Sequence, residues 1–141
     1  MSTFNDFNRS LIEDLRANRG KATGGPFLGR DLVILTTKGA KTGETRETPL
    51  VYTRDGDNYI VVASKGGAPT HPNWYHNLVA HPDVTAEIGG ERFKAHARVA
   101  DDSAYERLYQ NHAKYMPAFN EYRKKTSRKI PVVILERVDS N

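Results

Sequence analysis

The chain has 141 residues, of which 38% are hydrophobic and 27% charged, with a formal net charge of +4. That length suits one folded unit with its own core, and the absence of cysteine excludes disulfides, thiolate nucleophiles and cysteine-bound metals. The positive excess points to anionic partners such as phosphates, nucleic acid or lipid headgroups. No apolar run approaches a membrane span and the polar N-terminus lacks a signal-peptide core, so a cytoplasmic location is the expectation.

In chain order, Phe4, Phe7, Leu11, Ile12 and Leu15 recur at helical spacing and predict an amphipathic helix within residues 1–20. Such a stripe packs on its own domain or, alternatively, meets a membrane surface or a second copy. Residues 21–141 form the main body of what reads as a single domain. Gly20 to Gly29, with Gly24-Gly25-Pro26, is expected to be a flexible connection. Leu32-Val33-Ile34-Leu35 opens a strand, and Thr48-Pro49-Leu50-Val51-Tyr52 resumes extended chain after a polar loop. Arg54-Asp55-Gly56-Asp57 predicts a tight hairpin into Tyr59-Ile60-Val61-Val62. A short helix over 72–80 follows, then a hairpin of 84–88 with 92–99 across Gly89-Gly90. Asp101, Asp102 and Ser103 supply caps for a helix carrying Tyr105, Leu108, Tyr109 and His112 on one stripe, interrupted by Pro117. A last strand is expected over 130–138. Six hairpin-linked strands imply a mostly antiparallel sheet curled into a small barrel flanked by helices, an α+β fold.

Two glycine-rich cationic loops stand out. The first, between the opening strands, holds Lys38, Gly39, Lys41, Gly43 and Arg46; the second is Ala63-Ser64-Lys65-Gly66-Gly67. Glycines let backbone amides approach an oxyanion while the side chains supply charge, so each reads as an anion cradle or, more plainly, as a solvated hairpin loop. The first is not a nucleotide P-loop, because the G-x-x-x-x-G-K-[ST] spacing is absent. His71, His76 and His81 lie five apart and diverge on a helix, which argues against a metal site. No serine sits in a nucleophile elbow and no carboxylate pair marks an apolar cleft. The run Arg123-Lys124-Lys125-Thr126-Ser127-Arg128-Lys129 reads as a solvated basic face. No interleaved aromatic and basic motif supports nucleic-acid binding.

Taken together, Leu35-Thr36-Thr37-Lys38-Gly39-Ala40-Lys41-Thr42-Gly43, Arg46, Pro49-Leu50, Ala63-Ser64-Lys65 and Pro72-Asn73-Trp74-Tyr75-His76-Asn77-Leu78 closely resemble the deazaflavin-dependent nitroreductase family. The likeness runs on through His81-Pro82 and Ile130-Pro131-Val132-Val133-Ile134-Leu135-Glu136. It implies a split β-barrel of the flavin-reductase type that binds coenzyme F420, an 8-hydroxy-5-deazaflavin, in preference to FMN. By the same resemblance Lys41 and Thr42 hold the cofactor phosphate with Arg46 nearby, beside Pro49. Val62, Ser64 and Lys65 run along the cofactor, and Trp74 and Asn77 shape its pocket.

The implied reaction is hydride transfer from the reduced deazaflavin to a small-molecule acceptor, a quinone or a nitroaromatic. Ser64 and Tyr122 are the candidates to donate a hydrogen bond to the acceptor oxygen as charge develops there. Val51, Met116 and Phe119 stand near places where nitroimidazole-activating relatives carry tyrosines, so deazaflavin binding is implied more firmly than nitroimidazole reduction. A deazaflavin-binding or storage protein without its own substrate is the alternative. A homodimer and a peripheral contact with the inner face of the plasma membrane stay open.

Overall fold

The computed structural model describes residues 3–138, with side chains from residue 6 onward, so Phe4 of the expected N-terminal stripe lies outside the described side chains. The elements are α1 (Thr3–Ala17), β1 (Leu32–Lys38), β2 (Thr45–Val51), β3 (Thr53–Asp55) and β4 (Asn58–Val62). They continue with α2 (Asn73–Ala80), β5 (Asp83–Ile88), β6 (Glu91–Val99), α3 (Asp102–Tyr115), α4 (Ala118–Lys124) and β7 (Val132–Arg137). All strands join one antiparallel sheet in the order β2-β1-β5-β6-β7-β4-β3.

The two edge strands of that sheet, β2 and β3, are consecutive in the chain and separated only by Tyr52. One residue cannot span a flat seven-stranded sheet, whose strands lie about 4.8 Å apart, so the sheet must curl until its edges meet. The expected six strands are therefore seven. Up to Val51 the chain pairs with β1, as in Leu32 with Val51, whereas from Thr53 it pairs with β4, as in Thr53 with Ile60. Changing partner at Tyr52 splits what looks like a continuous extended run.

Strand alternation sorts the apolar residues into two layers. Val33, Leu35, Val61, Ala63, Val84, Ala86, Phe93, Ala95, Ala97, Val133 and Leu135 fill the barrel interior, plugged by Trp74 and Leu78 of α2. The other face, with Leu32, Ile34, Ile60, Val62, Val132 and Ile134, is covered by α1, α3 and α4. Leu11, Ile12 and Leu15 of α1 are buried there, and Phe7 stays exposed. Burying a leucine such as Leu15 contributes about 1.5–3 kcal/mol. Arg16 secures the same helix by reaching Glu47 of β2 and Glu87 of β5.

The connection after α1 is tied down rather than loose. Asp14 accepts from the Thr23 amide and hydroxyl at 2.8 and 2.6 Å, Ala22 donates to Arg30 O at 2.9 Å, and Lys21 bridges to Asp31. At the head of α3, Asp101 accepts from the Ala104 amide at 3.2 Å, which is the expected cap.

Candidate functional site

The barrel is incompletely zipped. β3 covers only Asn58–Ile60 of β4, and the described residues place no strand against the outer edge of β2. Beyond Ile60, β4 continues through Val62 paired on its other side with β7, so its near edge faces the near edge of β2. A seam thus opens away from Tyr52, with Thr45 to Leu50 on one lip and Val61 to Ser64 on the other. Each glycine-rich loop sits at a lip: 39–44 leads into β2, and 63–71 leaves β4.

The first loop is tightly wound. Gly39 N donates to Glu44 O at 2.7 Å, Gly43 N to Gly39 O at 2.9 Å, and Glu44 N to the Thr42 hydroxyl at 3.2 Å. A Cβ on Gly39 would fall 2.7 Å from Thr42 Oγ1 and 3.2 Å from Glu44 O, so a side chain there would displace the Thr42 hydroxyl from the turn. Asn77 is buried and clasps the loop to α2. Its Oδ1 accepts from Ala40 N at 3.0 Å and its Nδ2 donates to Thr37 Oγ1 at 3.2 Å. Lys41 is exposed at the crest. Arg46, opposite Thr37 in the ladder, forms an exposed ion pair with Glu44 at 3.0 Å.

The second loop is held by a residue that sequence reasoning left on a solvated basic face. Arg128 donates from Nε to Ala68 O at 2.8 Å, and from its terminal nitrogens to Ser64 O at 2.8 Å, Ala63 O at 3.3 Å and His71 Nδ1 at 2.9 Å. Ser64 is buried, and its carbonyl also accepts from Gly67 N at 2.9 Å. Lys65 takes φ +49°, a strained conformation for a side-chain-bearing residue, and its Nζ donates to Thr70 Oγ1 at 3.1 Å. A Cβ on Gly67 would fall 2.9 Å from Tyr122 O and from Lys125 Cβ. Glycine is therefore what lets α4 rest on this turn, which brings Tyr122 to the lip that carries Ser64. Tyr122 is half-buried with its ring edge-on to Phe119 at 5.2 Å.

The predicted residues fall into two groups and one outlier. Lys41, Thr42, Arg46 and Asn77 gather at the first loop. Val62, Ser64, Lys65 and Tyr122 gather at the second, with Pro49 on the face of β2 that also bears Val51 of the helix-side core. Trp74 stands apart from both: it is 7% exposed and packs with the residues of the barrel interior. The rest of the basic run is also engaged. Arg123 clasps Glu106 with two hydrogen bonds and lies 4.2 Å from the Tyr109 ring centre, while Lys129 pairs with Asp102.

Behind the joint at Tyr52 lies another residue that the sequence placed only in a helical stripe. His112 is fully buried; its Nδ1 lies 2.9 Å from Thr53 Oγ1 and its ring is edge-on to Phe119 at 4.4 Å. Burial pushes its pKa down to about 4, so it is neutral at physiological pH. A hollow of about 500 Å³ opens beside the same joint, lined by Asp31, Tyr52, Thr53, Arg54, Lys114 and Tyr115 among others, and none of the predicted residues borders it.

Comparison with known proteins gives the family and the fold. Residues 7–137 match the family model described as F420H(2)-dependent quinone reductase. An F420H(2)-dependent quinone reductase of Mycobacterium tuberculosis is 48% identical over 111 residues, covering 74% of this chain and 72% of the relative. A solved F420-H2 dependent reductase, FDR-A, superposes with a TM-score of 0.69 at 39% identity, over 74% of this chain and 93% of that one. A chain solved as a domain-swapped dimer superposes at 0.72 with 35% identity, over 96% and 100%. The haem storage protein HutZ of Vibrio cholerae, at 13% identity and TM-score 0.60, shares the fold alone. The chain belongs to the F420H(2)-dependent quinone reductase family.

Proposed function

We propose that this chain binds reduced coenzyme F420 along the open seam and delivers reducing equivalents from it to a quinone. The observation that carries this reading is that each of two cationic glycine loops adjoins an unpaired strand edge, one entering β2 and the other leaving β4. Lys41, Arg46 and Lys65 stand there, with Glu44 the acid paired to Arg46. An elongated ligand with a phosphate and a glutamate tail needs several cations spread along an open seam in place of a closed cavity. The donor set fits the group.

The bound cofactor supplies the hydride, and the protein supplies orientation and shielding. Lys41 and Arg46 hold the phosphate end, with Asn77 keeping their loop wound. Pro49, half-buried on β2, offers an apolar surface that excludes water from a flat ring, and Val62 backs the second lip from the core. Ser64 and Tyr122 present hydroxyls at the second lip, where a quinone oxygen gaining negative charge would take a hydrogen bond. No ionisable acid–base pair is required of the chain, because hydride transfer leaves the remaining proton to solvent.

The finer partners belong to the same proposal. Nitroaromatic acceptors would enter by the same lip, and a second copy of the chain would pair with the first. Exposed Phe7 and Leu28 would rest on a bilayer from which quinones are drawn; no helix among the described residues is long and apolar enough to cross one. Mixing the protein with reduced F420 and menadione tests the central reading. Menadione-dependent oxidation of F420 is expected. Binding without oxidation by any quinone or nitro compound would favour a storage role, and no binding would refute the assignment.

A further inference from the structure

Among the described residues, the Arg128 guanidinium donates to neutral acceptors alone. Three are backbone carbonyls, of Ala63, Ser64 and Ala68, and the fourth is the His71 ring nitrogen, all between 2.8 and 3.3 Å. These four groups span the turn that carries Ser64 and Lys65, and Arg128 approaches it from the connection between α4 and β7. Guanidinium is planar and presents five N–H donors in a fixed fork, so it can impose one shape on several carbonyls at once. The turn needs such help, because Lys65 sits at φ +49°. It also receives α4 at Gly67, so its shape sets where Tyr122 rests.

We infer that Arg128 is the positioning residue of the cofactor-binding turn, and that its grip is latched by an unprotonated His71. The inference deepens the F420 reading and rests on it for its functional half. The latch follows from hydrogen-bond chemistry. Arg128 donates to His71 Nδ1, which must therefore hold a lone pair. A proton there would replace an acceptor by a second cation facing the guanidinium.

Of the charged and titratable groups around His71, Arg128 and His76 work against that proton. Arg128 faces it from the connection before β7, and His76 of α2 lies 5.8 Å away ring to ring, beside Tyr75 at 4.8 Å. Within the turn, Lys65 is occupied by Thr70. Burial, then Arg128, then His76 hold His71 below its ordinary value of 6.5. The latch is therefore closed above pH 6.5 and is lost as pH falls through the lowered value.

Two measurements test this, one of them independent of the cofactor. Hydrogen exchange over residues 63–71 of the free protein, corrected for intrinsic rates, reads the turn directly. Exchange is expected to speed up at least tenfold in Arg128→Gln at pH 7.5, and in the wild type to rise progressively as pH falls below 6.5. Arg128→Lys, with three donors in place of the fork, should fall between. His71→Gln keeps an acceptor that cannot take a proton, so its turn should stay protected at pH 5. Equal exchange in wild type and Arg128→Gln would overturn the inference whatever the protein binds. In turnover with menadione, KM for reduced F420 is expected to rise about 10- to 100-fold in Arg128→Gln, and kcat to fall with it because the same turn seats Ser64 and Tyr122. Wild-type affinity for F420 should weaken as pH falls below 6.5, and His71→Gln should abolish that loss. A lowered Tm with unchanged KM for F420, or an acid loss that survives His71→Gln, would overturn the positioning role. Absence of F420 binding in the wild type would refute the F420 reading, and the exchange data would still decide the latch.

Discussion

The first loop makes a quantitative prediction because its two cations are not equivalent. Lys41 is exposed at the crest, whereas Arg46 is engaged by Glu44 at 3.0 Å with both side chains more than half exposed. A charge-assisted hydrogen bond from Lys41 to a phosphate is worth about 1.5–3 kcal/mol, so Lys41→Ala should raise the Kd for F420 about 10- to 150-fold. Arg46 must first give up Glu44. An exposed pair of this kind is worth about 0.2–1 kcal/mol, so Arg46→Ala should cost less than Lys41→Ala by about that margin. The same reasoning requires Glu44→Gln to tighten binding by about 1.5- to 5-fold, since it frees Arg46 and removes an anion from beside the phosphate. Titrating F420 fluorescence against each variant at low and high salt checks all three, and the differences should shrink as salt screens the charges. Unchanged Kd in Lys41→Ala, or weaker binding in Glu44→Gln, would refute the phosphate assignment.

Three further outcomes are expected. Asn77→Ala leaves the Ala40 amide and the Thr37 hydroxyl without their partner; it should cost about 2–4 kcal/mol and lower Tm by roughly 6–15 °C by calorimetry, whereas a negligible shift would show that the clasp is dispensable. Tyr122→Phe should slow quinone-dependent oxidation of bound reduced F420 about 10- to 1000-fold in stopped flow with cofactor affinity almost unmoved, and equal rates would remove this hydroxyl from the reaction. His112 has a folded pKa of about 4, below its ordinary 6.5, so the stability it confers is complete above pH 6.5 and drains away as pH falls toward 4. The loss amounts to about 3 kcal/mol, and urea melts at pH 7 and 4.5 should differ by clearly less in His112→Asn than in the wild type.

Local signals carried much of the fold. The apolar run from Leu32, the turn at Arg54-Asp55-Gly56-Asp57 and the cap at Asp101 each specify an element through contacts a few residues away. Thr45-Arg46-Glu47 escaped that reading. It is an exposed edge strand, so it shows no alternation of apolar and polar residues, and only the pairing with Thr36 to Lys38 makes it extended. Trp74 was ambiguous because an aromatic on a short helix suits a barrel plug as well as a ligand wall. Arg128 was invisible for a different reason: its partners lie about sixty residues away, and nothing in a run of lysines and arginines marks the one that turns inward. His112 appeared on the correct helical stripe, but its hydroxyl partner Thr53 lies across the barrel joint.

The unzipped lip of β2 has a further consequence, for solubility. A free strand edge invites another chain to dock on it, and proteins discourage this with charges and proline. Here Glu44, Arg46, Glu47 and Pro49 occupy that edge, so the segment read as a ligand lip is also a guard against edge-to-edge association. Neutralising Arg46 and Glu47 together while replacing Pro49 would leave a flat, pairing-competent strand. Such a variant should aggregate on concentration even if each residue were individually dispensable for folding. Loss of activity in it would then report self-association before it reported anything about the cofactor.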